Sequence, residues 1–218
     1  MSLYKDLKLR RDVRVILWRI ENPEEELRTS ALAETDVNTV NEIIYKAENS
    51  YSNINRRREW LAVRACMAHT LSRVDINYHS NGEPYLPYSN LSVAISHTEG
   101  MAAIAFCSHN KIGVDVQTYT PRILKLEDKI CSGRELVFLS SVYEERIKQL
   151  SLIFSMKEAL YKALDEPYLL YRSAFQVHPF YIQKNGYVTA TFERNNHKYP
   201  FTIQYRCFDS FVLTLASV

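Results

Sequence analysis

The stretch KIGVDVQ, residues 111–117, decides how the chain is divided. Its apolar residues alternate with others, which is the pattern of a half-buried β-strand. Alternation places Gly113, Asp115 and Gln117 on the opposite face, where Asp115 would point toward a seam or cleft. A glycine there permits close approach of another chain or a ligand. Aspartate is depleted in strands, and on this stretch alone an edge-strand aspartate in water is the better interpretation.

Length and composition limit the classes of protein to consider. The chain has 218 residues, of which 46% are hydrophobic and 24% charged. This is enough for a buried core in one large domain or two small ones. The net charge of +2 is too small to argue for nucleic acid. No apolar run approaches the roughly 20 residues of a membrane helix, and the basic N-terminus lacks the apolar core of a signal peptide. We therefore expect a cytoplasmic protein that binds neither nucleic acid nor a membrane.

The four cysteines lie far apart in sequence and include no CxxC pair. We expect free thiols in a reducing compartment rather than a zinc site or a disulfide framework.

Helical and strand patterns occur in two rounds along the chain. The expected elements are a strand (11–20), helical pieces (22–49), a helix (54–74), hairpin strands (91–97 and 101–107), the strand 111–117 continuing that meander, helical segments (126–142 and 144–164) and a final meander of strands (174–218). The chain thus has two successive rounds in which helices are followed by hairpin strands, and this pattern predicts an α+β fold. We expect two similar halves, residues 1–110 and 111–218, each an antiparallel sheet packed with helices.

The segment FSMKEALYKAL, residues 154–164, is typical of an amphipathic helix. The residues at core spacing are Ile153, Met156, Leu160 and Leu164. Glu158 and Lys162 lie four residues apart and are neighbours on the helix surface. Alone, they are best interpreted as a weak surface ion pair, and Lys157 as a solvated lysine.

Two further segments precede the strand at 111–117. In AISHTEG, residues 94–100, His97 ends an apolar row that begins at Leu91, and a histidine in this position is usually structural. The segment SNGEPYLPYSN, residues 80–90, contains Asn-Gly and two prolines, which indicates a loop.

Taken together, these segments resemble the signature of the 4′-phosphopantetheinyl transferases. The similar elements are ISH, IGVDVQ about 15 residues later and FSMKEALYKA about 40 residues further on. NGEPYLP is similar to the family's G-K-P-x-[LI]-P loop, and RRREWLAVR, residues 56–64, to its R-x-x-E-x-L-A-G-R helix. The resemblance spans roughly residues 55–165 and is greatest to the larger single-chain type that activates siderophore and surfactin synthetases.

The resemblance implies a reaction and a fold. Such enzymes move the phosphopantetheine arm of coenzyme A onto a serine of an apo acyl or peptidyl carrier protein and release 3′,5′-ADP. It also implies two pseudo-symmetric halves with the active site at their interface, most simply in a monomer. Asp115 and Glu158, with Gln117, would bind Mg²⁺, which prefers oxygen ligands. Glu158 would take the serine proton, and Lys162 would stabilise charge on the departing phosphate.

The same resemblance implies contacts to coenzyme A. His97 would bind the 3′-phosphate and Lys157 another phosphate. The remaining candidates are Arg57 and Arg64, with Arg56 and Arg58 as rivals, and Gly82, Glu83, Pro84 and Ser96 on the adenine side.

The sequence departs from the family pattern at two positions. Gln117 stands where a second carboxylate is common, and Glu83 where lysine is usual. These changes motivate an alternative, a catalytically impaired module that binds coenzyme A or a carrier protein.

Overall fold

The structure is a computed structural model that describes residues 2–20, 37–164 and 174–218. The chain divides into two compact units, Met1–His109 and Asn110–Val218. Part of the helical pattern predicted for residues 22–49 lies outside the described residues.

The first unit is built around a four-stranded antiparallel sheet with the strand order β1-β2-β6-β5. Its elements are β1 (Ser2–Lys8), β2 (Val13–Arg19), α1 (Val37–Ser50), α2 (Ile54–Leu71), β3 (Asn77–Tyr78), β4 (Pro84–Tyr85), β5 (Ser92–Thr98) and β6 (Met101–Cys107). Asn53 caps α2 by accepting hydrogen bonds from the next backbone amides. The helix packs on β2 and β6 through residues 61–68, all of which are buried.

The second unit contains a five-stranded antiparallel sheet with the order β7-β11-β10-β9-β8. Its elements are β7 (Ile112–Thr118), a 3₁₀ helix (Pro121–Leu126), α3 (Glu127–Ile130), α4 (Gly133–Leu136), α5 (Tyr143–Leu164), β8 (Phe175–Val177), β9 (Asn185–Arg194), β10 (His197–Cys207) and β11 (Phe211–Ser217). Helix α5 packs on β7 and β11. Of the predicted apolar stripe, Ile153, Met156 and Leu160 are fully buried in this core, and Leu164 is partly buried against it.

The prediction that strand 111–117 continues the meander of β5 and β6 is wrong. β7 pairs with β11, the last strand of the chain, so that Asp115 lies opposite Thr214. β6 instead lies between β2 and β5. The sequence of a strand shows which residues share a face, but its hydrogen-bonding partner depends on the tertiary arrangement.

Helix α5 approaches the backbone of β7 very closely at Gly113. A Cβ atom on this residue would lie 1.9 Å from the carbonyl oxygen of Ala159 and 2.7 Å from the amide nitrogen of Ala163. The close approach expected at Gly113 is therefore made by a helix of the same unit. It places the face that carries Asp115 directly beside α5.

Two other elements differ from expectation. Strand β1 was not predicted, because its sequence SLYKDLK lacks a clear alternation and several of its side chains are exposed. The segment 126–142 forms short helices rather than one long helix, because Ser132 caps a new helix at Gly133. The α+β class with antiparallel sheets is confirmed, whereas pseudo-symmetry and the location of the active site stay predictions.

In the described parts of the chain, none of the helices combines the length and apolarity needed to cross a lipid bilayer. All four cysteines are free thiols.

Candidate active site

The structure brings Asp115 and Lys162 into direct contact. The Lys162 Nζ atom donates to Asp115 Oδ1 at 2.9 Å and to the Val114 carbonyl oxygen at 3.1 Å. Asp115 is only 5% exposed, whereas the Lys162 side chain is 28% exposed. A carboxylate at this depth is costly unless it is paired, and α5 supplies the cation. Two of the three predicted catalytic residues therefore meet, although they are 47 positions apart in sequence.

Glu158 lies on the same helix, one turn before Lys162, and is half-buried. Side chains four residues apart are neighbours on a helix surface, so Glu158 lies beside Lys162. Gln117 is half-buried, two residues after Asp115 on β7, and its amide nitrogen donates to the Thr118 carbonyl oxygen at 3.2 Å. Asp115 and Gln117 share a strand face because they are two residues apart.

A buried pair of hydroxyl groups holds α5 beside Asp115. The Ser155 Oγ and Thr214 Oγ1 atoms are 2.8 Å apart, and Thr214 Oγ1 also donates to the Ser155 carbonyl oxygen at 2.8 Å. Both residues are fully buried. Because Thr214 is the cross-strand neighbour of Asp115, this contact fixes the helix at the level of the carboxylate. Sequence analysis did not identify this contact, since Thr214 lies outside the quoted motifs and 59 positions from Ser155.

Lys157 requires a correction. It was expected to be solvated and to reach a coenzyme A phosphate, but it is 0% exposed. Its Nζ atom donates to Glu135 Oε2 at 2.7 Å and to the Ile130 carbonyl oxygen at 2.8 Å. A side chain that is enclosed and paired in this way has no path to a ligand. The available signal was the periodicity of α5, because Lys157 lies four residues after Ile153 and three before Leu160, and both of these residues are buried in the core.

His97 lies in the first unit and is exposed at the end of β5. Its Nδ1 atom lies 3.2 Å from Glu59 Oε2, which also accepts a hydrogen bond from Arg56 at 3.2 Å. The histidine is thus exposed and paired with a carboxylate, and its contact with the 3′-phosphate of coenzyme A stays a prediction. Glu59 was not identified as its partner, because the two residues come from different elements.

The two candidate arginines of α2 have different surroundings. Arg57 is half-buried. Arg64 is only 4% exposed and stacks over Trp60 with 3.5 Å between the guanidinium carbon and the ring centre. Burial lowers the pKa of the Arg64 guanidinium from its ordinary value. Contacts of Arg57 and Arg64 with a phosphate of coenzyme A stay predictions.

The predicted loop forms the turn between β3 and β4. Gly82 is exposed and has a positive φ of 89°, which suits glycine. The Glu83 amide donates to Asn81 Oδ1 at 3.0 Å, and Glu83 and Pro84 are half-buried. Ser96 is 5% exposed on β5. Contacts of these residues with coenzyme A stay predictions.

The Mg²⁺ site expected at Asp115, Glu158 and Gln117 stays a prediction, and these side chains carry oxygen atoms of the kind that Mg²⁺ prefers. Within the described residues, no three His, Cys, Asp or Glu side chains are grouped so that they could hold a metal ion. Mg²⁺ does not require such a cage, because it is commonly bound by one or two carboxylates together with substrate phosphates and water. Asp115 and Glu158 would be those carboxylates, with the Gln117 amide oxygen as a neutral donor.

Comparison with known families assigns the second unit. Residues 111–216 match the 4′-phosphopantetheinyl transferase superfamily. This segment, which carries Asp115, Glu158 and Lys162, belongs to that superfamily, and the superfamily predicted from sequence is confirmed. Assignment to the larger single-chain type stays a prediction.

Two bacterial relatives are similar to part of the chain. They are the 4′-phosphopantetheinyl transferase AcpT of Escherichia coli O157:H7 and that of Escherichia coli strain K12. Each is 30% identical over 112 residues, which cover 49% of this chain and 57% of the relative. The match thus spans little more than half the length of either relative.

Proposed function

We propose that this protein transfers the 4′-phosphopantetheine group of coenzyme A to a serine of an apo acyl or peptidyl carrier protein and releases 3′,5′-ADP. The observation that carries this proposal is the buried Asp115–Lys162 pair beside Glu158. It lies within the segment that matches the 4′-phosphopantetheinyl transferase superfamily. Nucleophilic attack on a phosphoanhydride needs a base, a cation at the leaving group and neutralisation of phosphate charge, and these residues supply the first two.

Each residue has a defined task in the proposed reaction. Glu158 accepts the proton of the carrier serine, directly or through water, as its hydroxyl oxygen attacks the β-phosphate of coenzyme A. Lys162 balances the charge that develops on the departing 3′,5′-ADP. Asp115 orients Lys162 through the contact at 2.9 Å. When bound by Asp115, Glu158 and Gln117, Mg²⁺ would act as a Lewis acid on the pyrophosphate.

The proposal extends to the state of the protein in the cell. We propose a monomeric enzyme in the cytoplasm, where coenzyme A and carrier proteins are available. The carrier protein that it modifies would decide the pathway that it serves. Light scattering of the purified protein measures the oligomeric state directly.

The central test is mass spectrometry of a panel of apo-carrier proteins after incubation with coenzyme A and Mg²⁺. We expect at least one carrier to gain the mass of one phosphopantetheine group on its serine. If none gains mass, the alternative is favoured, namely a module that binds coenzyme A or a carrier without catalysis.

Substitution of the proposed base refines this test. Glu158→Ala should abolish transfer and leave the fold intact, because the side chain lies at the border of the core. Glu144→Ala, at an exposed position at the start of the same helix, is the matched control and should retain full activity. Transfer by Glu158→Ala above about a tenth of the wild-type rate would contradict the assignment.

A further inference from the structure

A fully buried ion pair lies on the side of α5 opposite Ser155 and Ala159, which pack on β11 and β7. Lys157 and Glu135 are each 0% exposed, and the Lys157 Nζ atom is 2.7 Å from Glu135 Oε2. Burial of two charges carries a desolvation cost that is offset only when the geometry is good and the remaining hydrogen-bonding capacity is satisfied. Such a pair is weak evidence for stability by itself. We therefore consider which segments of the unit its hydrogen bonds connect.

The pair connects three separate segments to α5. Lys157 donates to the Ile130 carbonyl oxygen at the end of α3. The Glu135 carboxylate accepts from the Ser132 amide at 2.7 Å, within the capping box of α4, and from the Val177 amide of β8 at 2.7 Å. One carboxylate therefore binds a lysine, a helix N-terminus and a strand at the same time.

The opposite side of α5 is held by the strands β7 and β11. Ser155 contacts Thr214, and the backbone at Ala159 lies against Gly113. An α-helix turns by about 100° per residue, so residues 155 and 159 face the sheet while residue 157 faces the opposite way. Glu158 lies between these anchors along the helix. Its direction depends on how far the helix can roll or slide between the sheet and the Glu135 carboxylate.

We propose that Lys157 and Glu135 are positioning residues, whose buried pair fixes the rotation of α5 so that Glu158 and Lys162 meet Asp115. Lys157 acts through Glu158, the next residue, and does not touch coenzyme A. The inference rests on the proposed function, because it gives the pair a role in that reaction.

The variant that tests it is Lys157→Met combined with Glu135→Gln. This double substitution removes both charges and retains an amide oxygen that accepts from the Ser132 or Val177 backbone. Removing one partner alone would leave a buried charge. The matched control is Arg146→Met with Glu127→Gln, because this pair also connects α5 to α3 through a contact at 2.8 Å. It lies three turns before Glu158.

Steady-state kinetics separate the possible roles when rates are expressed per folded molecule, with folded protein quantified by circular dichroism. We expect kcat of the double variant to fall on the order of 100-fold, as for a small misplacement of a reacting group. The KM for coenzyme A should stay within about twofold, and the control variant should retain its kcat.

An unchanged kcat of the double variant would show a purely structural pair. A preserved kcat with a raised KM would show direct contact with coenzyme A. Either result overturns the proposal.

Crystal structures of the wild type and the double variant test the geometry without reference to activity. We expect the Lys162–Asp115 contact of 2.9 Å to be lost and Glu158 to be displaced in the variant. An unchanged contact and an unchanged position of Glu158 would refute the positioning role. This result does not depend on activity. The proposed function is refuted separately, if the wild type modifies no carrier. If the double variant does not fold, Lys157→Leu combined with Glu135→Gln is used in both experiments, because it also removes both charges and fills the site with a different apolar side chain.

Discussion

At the scale of single residues, Asp115 explains why a carboxylate stands in an otherwise apolar strand. Its side chain is almost fully buried, and Lys162 supplies the charge that makes burial tolerable. A structural ion pair would satisfy this geometry by itself. What argues for a functional site is Glu158, a second carboxylate one turn before Lys162 on the same helix. Like charges placed together are unfavourable unless a cation or a substrate proton compensates them.

Asp115→Asn should lower kcat on the order of 100-fold or more. The amide preserves the shape of the side chain, and its oxygen accepts from Lys162, but it carries no negative charge for a metal ion. Transfer of phosphopantetheine to the carrier, followed by mass spectrometry, measures the rate. Asp209→Asn, at an exposed position between β10 and β11, is the control. Equal rates for wild type and Asp115→Asn would remove Asp115 from the mechanism.

Gln117→Glu should lower the Mg²⁺ concentration that gives half the maximal rate. The substitution adds a charged oxygen on the face of β7 that carries Asp115, and Mg²⁺ prefers carboxylate to amide ligands. A titration of transfer rate against Mg²⁺ gives the value. Gln183→Glu, an exposed residue of the same unit, controls for the added charge. A requirement that stays the same or rises would argue that Gln117 does not face the metal.

At the scale of elements, the central contact is between α5 and β7. Gly113 permits the helix to lie against the strand, so that Asp115, two residues further on, lies within reach of Lys162. The hydroxyl pair of Ser155 and Thr214 fixes the same two layers at the level of Asp115. Packing at this distance places polar side chains of helix and strand close together without a loop between them.

Gly113→Ala should destabilise the protein by at least about 3 kcal/mol, because overpacking a tight core displaces backbone. The new Cβ would lie 1.9 Å from the Ala159 carbonyl oxygen, which is part of the helix backbone and has little freedom to move. Urea denaturation followed by circular dichroism gives the free energy of unfolding.

Gly133→Ala is the control for this substitution, since no atom lies within 4 Å of its added Cβ. It should change the free energy of unfolding by less than about 1 kcal/mol. If the two variants were equally stable, the close approach of α5 to β7 would be refuted.

At the scale of the whole molecule, each unit has its own hydrophobic core. One cluster of buried residues packs around α5 and the second sheet, and another around α2 and the first sheet. The buried apolar side chains provide the main stabilising term in folding. We therefore expect removal of the proposed metal ion to affect the reaction and to leave the fold unchanged.

Removal of divalent cations with EDTA should abolish phosphopantetheine transfer and leave the circular dichroism spectrum and the thermal unfolding midpoint unchanged. Readdition of Mg²⁺ should restore the rate, and readdition of Na⁺ at equal ionic strength should not. Full activity in EDTA would count against a metal-dependent reaction. A large fall in the unfolding midpoint would indicate a structural metal instead.

The sequence by itself determined the α+β class, the face of β7 that carries Asp115, and the helix that carries Glu158 and Lys162. These follow from local periodicity, which a chain expresses wherever it folds. Tertiary structure alone decided that β7 pairs with the last strand, that Lys157 is buried against Glu135, and that Glu59 contacts His97. Strand pairing and ion pairing join residues that are distant in sequence, and the free energy that selects them comes from packing and desolvation of the whole unit, which no local pattern records.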